Sequence, residues 1–285
     1  MSGATIRPVT GVDTHAHVFG RGLMLAQTRR YTPDYDATLE DYLANLSRNR
    51  MSHGVLVQPS FLGTDNSFMC AALRRHRDRL RGVAMVEPGI GDAALDELEH
   101  DGVVGIRFNL IGLALPDYRS APWTTLLLKL ERRNLFVEIH RGARDLAAVV
   151  PPLVDAGLRV VVDHFGRTDP QLGLKDPGFH WLLEAGGSGR IWVKLSGSYR
   201  NNSGEAQSAA MTVLLREAYG TGRLLWGSDW PHTQFETGTD YDAECALIRR
   251  LLPDAAERHA VLVDTPANLY RIARAETPTP FDNTP

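Results

Sequence analysis

The feature that most constrains this chain is a repeated alternation: a short apolar run, a break at Gly, Pro or a polar residue, then a longer segment with helical spacing. Strand-length runs fall near 11–18, 54–59, 82–87, 104–109, 135–140, 159–164, 191–196 and 223–228. Between them lie amphipathic stretches such as Asp41-Tyr42-Leu43-Ala44-Asn45-Leu46 and Trp123-Thr124-Thr125-Leu126-Leu127-Leu128-Lys129-Leu130. Eight such units in about 250 residues predict an α/β fold, the (β/α)8 or TIM barrel. A doubly wound open sheet is the main rival, but no Gly-rich fingerprint follows the first strand. No internal repeat or linker marks a second domain. Residues 1–275 therefore read as a single barrel, and 276–285, with three prolines, as an irregular tail.

Composition narrows the function classes. An apolar content of 43% over 285 residues is ample for a large core. A net charge of -3 and the absence of any Lys/Arg run leave no general attraction to nucleic acid. The series Arg74, Arg75, Arg77, Arg79 and Arg81, interrupted by His76 and Asp78, reads as a solvated helix and its end. Cys70 and Cys245 are too few for a disulfide framework or a thiolate zinc site and read as buried free thiols. The stretch Met1–Arg7 lacks the apolar core of a signal peptide, and nowhere do about 18 apolar residues run together. The expectation is a cytoplasmic protein with neither membrane nor nucleic-acid partner; its oligomeric state is not legible.

Polar residues collect where the strands end: His15 and His17, Ser60, Glu87, Arg107 and Asn109, Glu138 and His140, His164, Ser196, and Asp229. In a barrel this C-terminal rim is where active sites are built. Residues two apart on a strand share a face, so His15 and His17 are expected to project together. Closure makes the first and last strands neighbours, which brings Gly227-Ser228-Asp229-Trp230-Pro231 to the same mouth.

With those end segments go Arg30-Tyr31-Thr32-Pro33, Val57-Gln58-Pro59-Ser60-Phe61-Leu62-Gly63-Thr64-Asp65-Asn66, Gly105-Ile106-Arg107-Phe108-Asn109, Asp163-His164-Phe165-Gly166-Arg167 and Val193-Lys194-Leu195-Ser196-Gly197-Ser198-Tyr199-Arg200. Together they resemble the amidohydrolase superfamily of the amidohydrolase-2 type, and within it the lactonase group that includes 2-pyrone-4,6-dicarboxylate lactonase. The resemblance covers nearly the whole chain. It implies a hydrolase that opens a carboxylate-bearing lactone. Asp229 would be the base that deprotonates water, and His15, His17 and His164 the groups that polarise the scissile carbonyl. Tyr31, Ser60, Arg107, Arg167 and Arg200, with His140, would hold the substrate. Such roles fit the chemistry, because attack on an ester needs an activated water on one side and donors where the oxyanion develops. Arginine suits carboxylates through its bidentate fork.

Two departures bear on the substrate and the cofactor. The dicarboxylate lactonases call for a second arginine shortly after Arg107, and Leu110-Ile111-Gly112-Leu113-Ala114-Leu115 offers none. His140 stands where those lactonases are expected to carry a tyrosine, and Glu138 two residues earlier is expected to steady it. No cofactor is required by the lactonase reading. The set His15, His17, His140 and Asp229 is nevertheless able to hold one divalent metal such as zinc, as in metal-dependent decarboxylases and amide hydrolases of the superfamily. A non-catalytic carboxylate-binding barrel is the remaining alternative. Of the other residues, Trp226 reads as core, Trp230 and His232 as equally suited to the pocket wall or elsewhere, and Asp264–Tyr270 as the closing helix under the barrel.

Overall fold

Eight parallel strands follow one another around the sheet in chain order: β1 (Val12–Ala16), β2 (His53–Val57), β3 (Leu80–Ala84), β4 (Val103–Asn109), β5 (Phe136–His140), β6 (Val160–Val162), β7 (Ile191–Leu195) and β8 (Leu224–Trp226). This is a computed structural model, and it describes residues 7–274, so the first six residues and the expected tail lie outside it. Eight principal helices alternate with the strands: α1 (Leu39–Arg48), α2 (Ser67–Arg75), α3 (Asp92–Asp101), α4 (Ala121–Arg132), α5 (Leu146–Asp155), α6 (Pro177–Glu184), α7 (Glu205–Tyr219) and α8 (Tyr241–Leu251). The (β/α)8 expectation is met at every unit. The strands are shorter than the apolar runs because their last residues leave the ladder for the rim, as where the 3-10 turns Ser60–Leu62 and His164–Gly166 begin.

The strands are buried on both faces, which is why they read as continuous Val, Ile and Leu. Inside, Val12, Val55, Val83, Phe136, Val161 and Leu225 form one apolar cluster. It is joined by Ala267, Leu269 and Tyr270 from the end of the chain, where the short helices α9 (Ala255–His259) and α10 (Thr265–Leu269) follow α8. The expected closing segment therefore plugs the barrel and leaves the opposite end open.

Closure depends on how β1 is built. Asp13 pairs with Gly54 and Ala16 with Leu56, so β1 carries one residue more than β2 over that interval. A bulge of this kind resets the two-residue alternation. Asp13 consequently lies beside Tyr42 of α1 and Tyr241 of α8, outside the barrel, whereas His15 turns inward. Ala16 packs outward and His17 inward again, so the two histidines do share a side. The last strand is fastened to the first by backbone bonds at 2.8 Å from His17 N to Trp230 O and from Asp229 N to His15 O. Gly227 allows this approach, since a Cβ there would sit 2.5 Å from His15 Cβ.

Asp13 completes the joint. Its Oδ1 accepts from Ser228 N at 2.8 Å and His15 N at 3.1 Å, and its Oδ2 from Ser228 Oγ at 2.6 Å. Replacing it by alanine leaves buried donors unsatisfied, so Asp13→Ala is expected to lose about 1–3 kcal/mol in urea unfolding. Met24→Ala, at an 85% exposed side chain, is the control expected to stay within about 0.5 kcal/mol of wild type.

Candidate active site

Above the apolar plug the barrel is filled by charge. Lys194 of β7 is fully buried, and its Nζ lies 2.5 Å from Glu138 Oε2 and 3.4 Å from Asp163 Oδ1. Arg107 of β4 meets the same two carboxylates, at 3.1 Å to Asp163 Oδ2 and 3.5 Å to Glu138 Oε1. Burial and the neighbouring Asp163 raise the Glu138 carboxyl to about 7. Asp163 is pushed up by burial too, but Lys194 and His15 outweigh this and hold it well below the usual carboxylate range. Glu138 thus serves Lys194 and Arg107; the expected partnership with His140 is replaced, because Arg107 Nη2 lies 3.3 Å from His140 Nδ1.

Asp229 stands at the centre of the rim. Its Oδ2 accepts from Tyr199 OH at 2.6 Å and from Arg200 Nε. Its Oδ1, buried, has no hydrogen-bond partner, and three imidazole nitrogens surround it: His15 Nε2 at 3.7 Å, His17 Nε2 at 3.8 Å and His164 Nε2 at 4.0 Å. These separations exceed a hydrogen bond and suit atoms that share a third ligand. Burial raises the Asp229 pKa, yet Arg200 and the nearby imidazoles bring it well below the ordinary value. Gly197 makes room here: its φ is +56°, and a Cβ would fall 3.0 Å from Asp229 Oδ2 and 2.8 Å from His164 Nδ1.

Burial holds all four histidines neutral near pH 7. It is the main cause in lowering His17 to about 4 and His164 to about 3, and His15 and His140 also lie well below their usual value. Their second nitrogens then decide what each offers the site. His17 Nδ1 lies 2.7 Å from the Val57 carbonyl, which only accepts, so the proton is on Nδ1 and Nε2 presents a lone pair. Arginine only donates, so Arg107 leaves His140 with a bare Nδ1 and a protonated Nε2. His164 Nδ1 meets Ser196 Oγ at 2.9 Å, a partner able to play either part.

A cavity of about 130 Å³ opens over this group. Its lining contains His17, His164 and Asp229, and also Tyr31, Ser60, Arg107, Arg167, Arg200 and His140; His15 lies beneath, fully buried. Arg30 belongs to the same wall. Arg107 and Arg200 are bound to carboxylates of the protein, whereas Arg30 and Arg167 have no carboxylate within salt-bridge distance among the described residues. Arg167, crowded by burial and by Arg200, is lowered to about 10. Tyr31 and Tyr35 both donate to Glu236, at 2.6 and 2.8 Å, tying the loop after β1 to the loop after β8 over the opening. Trp226 is core, Trp230 stacks on Tyr42, and His232 is buried against the Tyr199 ring; none of the three lines the cavity.

The donor atoms of His15, His164 and Asp229 are mutually close enough to hold a metal ion. His17 faces the same Asp229 oxygen, whereas the His140 nitrogens are not among the donor atoms that lie this close together. Lys194, Asp163, Tyr199 and Arg30 had no assigned role from sequence. A lysine inside the apolar run Ile191-Trp192-Val193-Lys194-Leu195 was the available signal, since burying it alone is prohibitive.

A (β/α)8 barrel whose open rim gathers histidines around one aspartate, ringed by arginines, has the construction of a hydrolytic barrel enzyme for anionic substrates. The chain belongs to the amidohydrolase family, whose model matches residues 12–272. It is similar to 4-sulfomuconolactone hydrolase of Rhizobium radiobacter, 32% identical over 272 residues that cover 91% of this chain and 89% of the relative. It is also similar to 2-pyrone-4,6-dicarboxylate hydrolase of Comamonas testosteroni, with 30% identity, 92% of this chain and 90% of the relative. Among solved structures, one from Acinetobacter baumannii, described as a probable 2-pyrone-4,6-dicarboxylic acid hydrolase with citric acid bound, superposes with a TM-score of 0.88 at 36% identity. That match covers 92% of this chain and 99% of the other. Among the described residues no helix is long and apolar enough to cross a membrane.

Tyr199→Phe removes a hydrogen bond to a buried carboxylate and is expected to cost about 1.5–3 kcal/mol in denaturant unfolding. The same change withdraws a donor that favours ionised Asp229. Its pKa therefore rises, and any activity that needs the carboxylate is expected to fail at higher pH on the acid side than in wild type.

Proposed function

We propose that this protein hydrolyses a lactone bearing at least one carboxylate or similar anionic group. The observation that carries the reading is the pairing of an unpartnered Asp229 oxygen with a cavity wall holding two arginines, Arg30 and Arg167, that have no carboxylate within salt-bridge distance among the described residues. The names of the relatives, lactone hydrolases of anionic substrates, point the same way.

In this reading Arg30 and Arg167, with Tyr31 and Ser60, hold the anionic substituents and set the ring over Asp229. Arg107 and Arg200 act chiefly by holding His140 and Asp229. Asp229 Oδ1 takes a proton from water as the water oxygen bonds to the lactone carbonyl carbon. His140 Nε2–H and the arginines face the oxygen on which charge collects. Collapse of the tetrahedral centre breaks the ring C–O bond, and the proton held by Asp229 passes to the departing ring oxygen. The product is the open hydroxy acid or its keto form. Of the three histidines expected to polarise the carbonyl, His17 offers a lone pair and His15 lies under Asp229. Their part is to seat the water, and His164 is the one able to reach the carbonyl.

A divalent ion held by His15, His164 and Asp229 would polarise the carbonyl and acidify water in its own right. The metal-dependent alternatives, decarboxylation or amide hydrolysis, stand on that set. Metal analysis of the purified protein, with activity measured before and after a chelator, separates them from metal-free hydrolysis.

Ring opening is to be followed by loss of lactone absorbance over a panel of pyrone dicarboxylate, muconolactone and sugar-acid lactones. At least one is expected to open, with Asp229→Asn slower by roughly 10²–10⁴-fold; opening of none, or a fully active variant, refutes the reading. Arg167→Ala is expected to raise KM more than it lowers kcat. Because Asp229 is depressed below the usual carboxylate pKa, kcat/KM is expected to persist as pH falls through about 4 and to be lost only below it.

A further inference from the structure

We propose that Lys194 is a positioning residue that fixes the proton of His15 on Nε2, so that the first-strand histidines present opposite faces: His15 a donor, His17 an acceptor. Lys194 Nζ lies 3.0 Å from His15 Nδ1 in hydrogen-bonding geometry. An ammonium carries three N–H groups and no lone pair. Lys194 donates to Glu138 Oε2 at 2.5 Å and meets His15 Nδ1 at 3.0 Å, while Asp163 Oδ1 pairs with its charge from 3.4 Å. His15 Nδ1 must then accept, and the ring proton resides on Nε2.

The carboxylates near Nδ1 do not reverse this. Asp163 Oδ1 is 3.3 Å and Glu138 Oε1 3.6 Å from it, yet neither meets Nδ1 in hydrogen-bonding geometry, as Lys194 Nζ does. His17 is held the other way by the Val57 carbonyl at 2.7 Å. Both Nε2 atoms face Asp229 Oδ1, at 3.7 and 3.8 Å. A water bound among the three gives its hydrogens to Asp229 Oδ1 and His17 Nε2 and accepts from His15 Nε2–H. It is thereby oriented with a lone pair left for attack. A cation held by His15, His164 and Asp229 would have to displace this proton, so that arrangement and the present one exclude each other. The catalytic consequence rests on the proposed hydrolysis; the proton's location does not.

The test is ¹⁵N–¹H NMR of the histidine side chains at neutral pH, which distinguishes Nδ1–H from Nε2–H rings without any substrate. Wild-type His15 is expected to be the Nε2–H form and His17 the Nδ1–H form. In Lys194→Met/Glu138→Gln, which removes a positive and a negative charge together, His15 is expected to switch to Nδ1–H while His17 does not change. That variant is expected to lose roughly 10²-fold in kcat, by comparison with removal of a preorganised donor, with KM little altered. Zinc is expected to bind the variant more tightly than wild type. An Nδ1–H ring at His15 in wild type overturns the proposal, and this holds even if the variant fails to fold. An unchanged His15 ring in a folded variant overturns it equally. Neither result touches the lactone assay, whose failure would instead remove the proposed function.

Discussion

Lys194 sits with no exposure in the middle of a barrel whose floor is valine, leucine and aromatic rings, and only the two carboxylates of Glu138 and Asp163 make that tolerable. A buried ammonium left alone would cost several kcal/mol, and breaking such a pair typically costs about 3–5 kcal/mol. The two carboxylates are in turn shared with Arg107, so two cations and two anions from four successive strands or their ends, β4 to β7, balance one another. Each member is held in one rotamer by the others. That rigidity is passed upward, because Arg107 touches His140 and Lys194 touches His15.

The rim therefore inherits its chemistry from the layer beneath it. Four imidazoles of one residue type become different tools through their buried nitrogen: a carbonyl partner makes His17 an acceptor, and a guanidinium makes His140 a donor. Asp229 is divided in the same manner. One oxygen is bound by Tyr199 and Arg200 and keeps the group ionised, and the other is left free of partners and surrounded by nitrogens. As the base of the proposed hydrolysis, a group of such depressed pKa would be intrinsically weak, and its effectiveness would come from placement of the water more than from proton affinity.

Much of this was readable from residue order. The eight apolar runs announced the barrel because a parallel strand buried on both faces has no polar alternation to hide it. The polar residues at the ends of those runs, from His15 to Asp229, gather at one mouth since every strand points the same way. Other features had no local signature. The bulge that turns Asp13 outward and His15 inward is invisible in Val12-Asp13-Thr14-His15, where simple alternation would place Asp13, His15 and His17 together. The missing arginine after Arg107 is another case, for Arg30 reaches the same cavity from a different loop.

The amino-acid sequence by itself determined the barrel, the family and the ring of candidate residues, because hydrophobic periodicity and the ends of strands are local properties of the chain. What each residue does was decided only by the tertiary structure. Whether Arg107 or Arg30 is available to an anion, whether Glu138 serves His140 or Lys194, and where the proton of each histidine lies all depend on which charges meet across strands far apart in sequence. In a buried, poorly screened interior those meetings set the energy of every ionisable group, and no pattern along one strand encodes them.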